Sequence, residues 1–251
     1  MTTPEELWEA QRLVEKHWRP EQPPEETRIL GLARDALDFI SSTGQRHRFR
    51  DHRQSEAAKP PMGPESGGAL RGAEDYFRKL LDTPQTLEES ALLRVVIDAL
   101  QFIAGTGQLA NLEDYIQHLE VGAPPYVVSA FDSLDEAEAW LMSHPAPPDF
   151  AHIIVAGEYR SVFHDRERNI RKLPNDNALE YYLAELRKVE PPVPIASFAT
   201  RRDAEAWLWA QNEPVRRAWV SIGGDLYLAA SYPRINHRAL FPLMIATGYP
   251  A

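Results

Sequence analysis

Ala137–Leu141 reads AEAWL, and the same five residues return as Ala204–Leu208. The copies lie 67 residues apart (204 − 137), and at that offset residues 124–174 align with 191–241 without a gap. Pro124/Pro191, Phe131/Phe198, Gly157/Gly224, Asn169/Asn236, Arg171/Arg238 and Leu173/Leu240 are among the identical pairs. A match spread so evenly marks an internal duplication, and a period has to be found before any element is assigned. Ser133 with Glu136, and Thr200 with Asp203, stand where a capping hydroxyl and its acid start a helix. From that start Ala137, Trp140 and Leu141 fall at i, i+3 and i+4 on one face, as do Ala204, Trp207 and Leu208. That face is expected to pack on a sheet, with a small Ala for close approach and the large Trp supplying most of the buried area, roughly 1.5–3 kcal/mol or more per large apolar side chain.

The flanks supply the sheet. YVVSAF at 126–131, AHIIVAGE at 151–158 and YRSVF at 159–163 read as strands, and PIASF, AWVSIGGD and LYLAAS repeat them after residue 193. Gly157-Glu158 and Gly223-Gly224-Asp225 are hairpin turn signals. Each copy is therefore predicted as a β-α-β-β unit, 124–190 with a trailing helix and 191–251, building an antiparallel or mixed sheet with its helices on one face.

A second duplication, at an offset of 63 (98 − 35), occupies the N-terminal half. Asp35-Ala36-Leu37 matches Asp98-Ala99-Leu100, Phe39-Ile40 matches Phe102-Ile103, and Thr43-Gly44-Gln45 matches Thr106-Gly107-Gln108. Apolar residues at 29, 33, 36, 37 and 40 recur at 92, 96, 99, 100 and 103, which is helical spacing with one buried stripe. Both helices are predicted to stop at Thr-Gly-Gln, where the glycine can take the left-handed conformation. LWEAQRLVEKHW and GGALRGAEDYFRKLL also read as amphipathic helices, so the half consists of helical hairpins over 1–54 and 69–123, with a third short helix, NLEDYIQHLE, in the second copy only. The Pro- and Gly-rich stretch at 55–68 reads as a flexible linker. The predicted fold class is α+β, duplicated helical hairpins followed by two β-α-β-β units, with a boundary near residues 120–125.

Composition narrows the function classes. The 251 residues are 43% hydrophobic and 25% charged, which is ordinary for a globular chain. No apolar run of about 18 residues is present and the N-terminal stretch lacks a signal-peptide core, so the expected location is the cytoplasm. The absence of cysteine removes disulfides, thiolate catalysis and thiolate metal sites together. The net charge of −10 divides as −7 over residues 1–125 and −3 over 126–251, which disfavours nucleic acid and favours a basic protein partner.

No glycine-rich nucleotide motif, nucleophile elbow or H-E-x-x-H occurs, and the eight histidines show no metal-ligand spacing on a helix. No cofactor, metal site or catalytic residue is expected. Asn169-x-Arg171 and Asn236-x-Arg238 are repeated polar pairs that suit either a carboxylate site or, more simply, a structural role in which Asn forms a turn and Arg pairs with the acidic helix above. Partner-binding candidates are positions that differ between copies or stand out in charge: Trp209, whose counterpart is Met142 and which lies off the packing face, Trp219, and Arg46, Arg48 and Arg50 of the run RHRFRDHR, otherwise read as a solvated basic face.

Taken together, F-x-[ST]-x-x-[DE]-A-E-A-W-L, a strand-Gly-acid hairpin, N-x-R-x-L and the upstream A-L-x-F-I-x-x-T-G-Q resemble a myxobacterial paralogous-domain family over most of residues 28–245. Some of its members are similar to immunity proteins that protect a cell against lipoprotein toxins exchanged between kin by outer-membrane contact. The resemblance implies a non-catalytic, cytoplasmic protein that binds and neutralises a cognate toxin. Its motifs are packing and turn residues, so it assigns no toxin-binding residue to this chain. A general interaction module and an enzyme with an unfamiliar site are the other two readings.

Overall fold

The structure, a computed structural model, describes residues 3–55, 68–189 and 191–248. The predicted linker at 55–68 lies almost wholly outside them. The fold is mixed α and β, with the helices of the N-terminal half preceding the strands. The chain divides into two compact units, residues 1–116 and 117–251. No single helix among the described residues is long and apolar enough to cross a membrane.

The first unit is built from α1 (Thr3–Lys16), α2 (Pro24–Ser42), α3 (Arg46–Gln54), α4 (Gly68–Leu81), α5 (Leu87–Gly105) and the start of α6 (Leu109–Glu120). Pro24 opens α2 with Glu25 and Glu26 in its first turn, and α5 opens on a capping box in which Thr86 and Glu89 satisfy each other's backbone amides. Ile29, Leu30, Ala33, Ala36, Leu37 and Ile40 of α2 are buried, and the corresponding stripe of α5 is buried likewise.

Both helices end in the same way. Gly44 and Gly107 have φ of 70° and 67°, and the Gln45 and Gln108 amides donate back to the Ile40 and Ile103 carbonyls at 2.9 Å. These are Schellman turns, in which only a residue free of Cβ crowding sits at ease. Each turn leads directly into a further helix. The first copy therefore has a third helix too, α3, where the sequence suggested a solvated basic face. The segment contains one large apolar residue, Phe49, which is fully buried. A single anchor produces no stripe for periodicity to detect.

The two helical copies are interlocked. Tyr115 of the second packs edge-on against Phe39 of the first at 5.7 Å, while His52 of the first packs on Phe102 of the second at 5.4 Å. Phe39/Phe102 and His52/Tyr115 are equivalent pairs at the offset of 63, so each copy lends its third helix to the other's second. Gln45 and Gln108, themselves equivalent, meet at the centre, where the Gln45 amide donates to the Gln108 Oε1 at 2.7 Å. Tyr115 donates to the Asp38 carboxylate at 2.7 Å, and burial, then the Asp38 charge, drives its hydroxyl pKa far up.

The second unit has β1 (Val127–Phe131), α7 (Leu134–Ser143), β2 (His152–Val155), β3 (Glu158–Ser161), β4 (Phe163–Asp165), β5 (Ile170–Lys172) and α8 (Ala178–Val189), then β6 (Ala196–Phe198), α9 (Arg201–Ala210), β7 (Arg217–Ile222), β8 (Asp225–Tyr232) and β9 (His237–Pro242). Strand order is β1-β2-β3 in one sheet and β6-β7-β8-β9 in another, with β1 parallel to β2, β6 parallel to β7 and the remaining neighbours antiparallel. The β2-β3 and β7-β8 hairpins turn through Ala156-Gly157 and Gly223-Gly224, all at positive φ, as two-residue turns require when strands twist to the right.

Ser133 and Thr200 cap α7 and α9 by accepting from the Glu136 and Asp203 amides at 3.3 and 3.2 Å. Ala137 and Leu141 pack on Ile153, Val155, Val162 and Leu173, and Ala204 and Leu208 on Val220, Ile222, Ala229 and Leu240. Trp140 and Trp207 close the edges of these cores at half burial, lying against Phe131 and Phe198 with the same 45° tilt. The opposite faces of the two sheets meet Leu179, Leu183 and Leu186 of α8 in a shared core with Tyr159, Trp219, Tyr232 and Phe241.

The two βα copies differ in one respect. The eight residues of β8 correspond to 158–165, which break at Val162 into β3 and β4 because the Val162 backbone bonds to Phe150 and Ala151. As a result β4 and β5 pair as a separate two-stranded sheet, while β9 stays in the main sheet.

Gln45 and Gln108 are each only 8% exposed, so replacing one removes a buried hydrogen bond from the other. Gln45→Leu or Gln108→Leu is expected to cost about 1–3 kcal/mol in urea denaturation, and the double variant to recover about 1 kcal/mol of the summed loss. Strictly additive losses would show that the two amides act independently.

Candidate functional site

The repeated polar pairs have a backbone task. Asn169 and Asn236 take φ of 51° and 48°, the left-handed conformation that asparagine tolerates better than most side chains. Each turns the chain into the strand that carries the arginine. Arg171 Nη1 donates to the carbonyls of Leu141, Met142 and His144 at 2.8, 2.9 and 3.0 Å. Arg238 donates to the carbonyls of Leu208 and Gln211, the equivalent positions. A cation here satisfies the last carbonyls of α7 and α9 and opposes the negative end of the helix dipole. The asparagines form turns, while each arginine bonds helix-end carbonyls in place of the acidic side chains of the helix above.

Trp209 sits on α9 and is 50% exposed, with the Arg238 guanidinium 4.8 Å from its ring centroid. The arginine that closes the helix thus also orients the indole. Trp219 is a correction: it is 3% exposed on β7 and belongs to the shared core, so it offers no surface to a partner. Its counterpart in the first copy is His152, and a difference between copies marks divergent packing as readily as divergent recognition.

Arg46, Arg48 and Arg50 lie on α3 of the other unit. Arg48 is exposed, donates to the Gln45 Oε1 at 3.2 Å and lies 5.9 Å from the Phe102 ring, while Arg46 and Arg50 are half-buried. Arg53, from the same run, is bound to Glu6 at 2.6 Å and Asp98 at 3.1 Å. The run is therefore an internal counter-charge to the helices around it as well as a surface.

One polar constellation was not legible in the sequence. His152 Nδ1 lies 2.7 Å from Asp176 Oδ2, Ser161 donates to the same oxygen, and the Ala178 amide donates to Oδ1 at 2.8 Å. His152 and Ser161 face each other across β2 and β3, and Asp176 comes from the turn before α8. The only advance signal was Asn-Asp-Asn at 175–177 ahead of a helical pattern, which indicates a helix start and nothing about a histidine 24 residues upstream. The hydrogen bond from His152, with help from Ser161 and Ala178, overcomes burial and holds the Asp176 carboxyl near a pKa of about 2.

Beside Asp176 a cavity of about 350 Å³ opens between the β2-β3 turn, the start of α8 and the end of β9. Tyr159, Leu179 and Phe241 form its floor, and Glu158, Asp176 and Glu180 are its acidic members. Among the described residues no group of three His, Asp or Glu side chains is placed to hold a metal ion.

No protein-family model, curated protein or solved structure matches the chain.

Two predictions follow from this geometry. Arg171→Ala and Arg238→Ala are each expected to lose about 1–3 kcal/mol of stability through unmade helix-end hydrogen bonds, with lysine restoring only part, as read by thermal unfolding. Because the folded-state pKa of Asp176 is depressed from the usual 3.8 to about 2, its contribution is complete above the upper value and is lost as pH falls through the lower. The urea midpoint should therefore fall less steeply in Asp176→Asn than in the parent between about pH 5 and about pH 2. Parallel curves would remove Asp176 from the acid response.

Proposed function

We propose that the chain is a non-catalytic binding protein that holds a basic toxin domain in an immunity complex in the cytoplasm. The observation that carries this reading is Trp209, an indole half in solvent and supported by Arg238, on a helix whose other face is committed to the core. Tryptophan and arginine are the residues most enriched among those that dominate protein interfaces, and a side chain already held in place loses less freedom on binding. The net charge of −10 favours a basic partner and speeds its encounter. The resemblance of the A-E-A-W-L and T-G-Q motifs to a family with immunity-like members supports a toxin as that partner.

A general scaffold draws on a different observation. Met142, at the position equivalent to Trp209, is 66% exposed, so the two βα copies present related but unlike apolar tips. An enzyme reading has less support at the repeated arginines, whose guanidinium groups bind backbone carbonyls.

The deciding experiment expresses the C-terminal domain encoded by the neighbouring open reading frame in a host with and without this protein, followed by calorimetry of the purified pair. Rescue of growth with a tight one-to-one complex supports the immunity reading; a harmless neighbour or absence of binding heat removes it. Within such a complex Trp209→Ala is expected to weaken binding at least about tenfold. Its melting temperature should stay within about 2–4 °C of the parent, whereas a large loss of stability with unchanged affinity would make the indole a packing group.

A further inference from the structure

We propose that the outer edge of β6 is a self-association surface on which two copies of this chain pair antiparallel about Ala196. The inference stands apart from the immunity reading and needs no toxin. β6 ends the four-stranded sheet, with β7 on one side and no strand on the other among the described residues. Ile195 donates its amide to the Trp219 carbonyl on β7 at 2.9 Å. Backbone groups alternate in direction along a strand, so the Ala196 amide and carbonyl and the Phe198 amide point away from β7. Val193 and Ile195 carry apolar side chains that are 69% and 66% exposed. Their equivalents in the first copy, Tyr126 and Val128, are half-buried, and there the helical turn Pro233–Ile235 packs against β1.

A second copy fits this edge group for group. With the twofold axis at Ala196, each Ala196 amide meets the other's carbonyl, and each Phe198 amide meets the partner's Pro194 carbonyl. The next donor would have to come from Pro194, which has none, and it would face the Phe198 carbonyl, which already accepts from the Gly223 amide. Pro194 thus blunts the edge toward an unrelated strand, which needs that donor, but not toward this register. On the exposed face Ile195 stands beside the partner's Ser197 and Val193 beside the partner's Ala199, so both apolar side chains gain cover. Charge favours the same occupant. Residues 191–200 contain no Asp, Glu, Lys or Arg, in a chain of net charge −10. Copies that repel each other over much of their surface meet here without like charges in contact, whereas a basic partner finds no attraction. The contact is isologous and closes on itself, joining two four-stranded sheets into one of eight strands.

Sedimentation equilibrium of the full chain over about 1 μM to 1 mM is expected to show a reversible shift from 28.5 kDa toward twice that mass. Ile195→Lys should weaken the dimer at least about tenfold with an unchanged melting temperature, although it lowers the net charge that opposes association. Met142→Lys makes the same change at an equally exposed position on α7 and should leave the dimer intact. Cross-linking reads the register. The chain has no cysteine, so in the double variant Ile195→Cys/Ser197→Cys each introduced thiol has a counterpart across the axis. Mild oxidation should convert it to a covalent dimer faster than either single variant. A monomer at every concentration, a dimer that survives Ile195→Lys, or cross-linking no faster in the double variant than in the single ones would overturn the assignment.

Discussion

The α/β unit depends on two guanidinium groups that close helices. Arg171 and Arg238 reach from the strand after each left-handed asparagine to the last carbonyls of α7 and α9. That contact ties the end of each helix to the strand that follows it. It also fixes the helix over the sheet at the end opposite its Ser133 or Thr200 cap, so Ala137/Leu141 and Ala204/Leu208 meet their sheet residues in one register. Arg238 spreads its two terminal nitrogens over Leu208 and Gln211, and Arg171 gathers three carbonyls around Nη1.

The helical unit is organised by a contact between equivalents. Gln45 and Gln108 can bond to each other only if the two copies approach symmetrically, and the surrounding exchange of third helices follows the same symmetry. Apolar packing alone tolerates sliding and rotation, because it is non-directional. A buried amide pair does not, since any other register loses the directional bond between Gln45 and Gln108 in the interior. Thr43 and Thr106 bind the same amides locally, which ties the central contact to the Schellman turns that end α2 and α5.

In the second unit, positions identical between copies are spent on turns, helix ends and helix-sheet packing, and the exposed apolar side chains at the tips of α7 and α9 come from positions that differ. Trp209 and Met142 are one such pair, exposed on equivalent helices. Trp219 and His152 are another, but there one copy fills the shared core and the other makes a polar contact with Asp176. Divergence thus took two forms, one on the surface and one inside. The cavity lined by Glu180 belongs to the first copy's turn and trailing helix together with the second copy's β9, so neither copy builds it alone.

Much of this fold was written in local pattern. Helix starts at Ser133 and Thr200, glycine stops at 44 and 107, the Gly157 and Gly223-Gly224 hairpins and the strand-helix-strand-strand order all follow from short-range chemistry, because capping, positive φ and apolar spacing are properties of a few adjacent residues. What tertiary structure alone decided involves partners far apart in the chain. The α3 helix needs a pocket for Phe49 beside Phe102, Trp219 is buried because α8 and a second sheet cover it, and His152, Ser161 and Asp176 meet only when β2, β3 and the start of α8 are assembled. Spacing along a sequence records which side chains share a face, but not which face another element will cover; that is set by the burial of the whole unit.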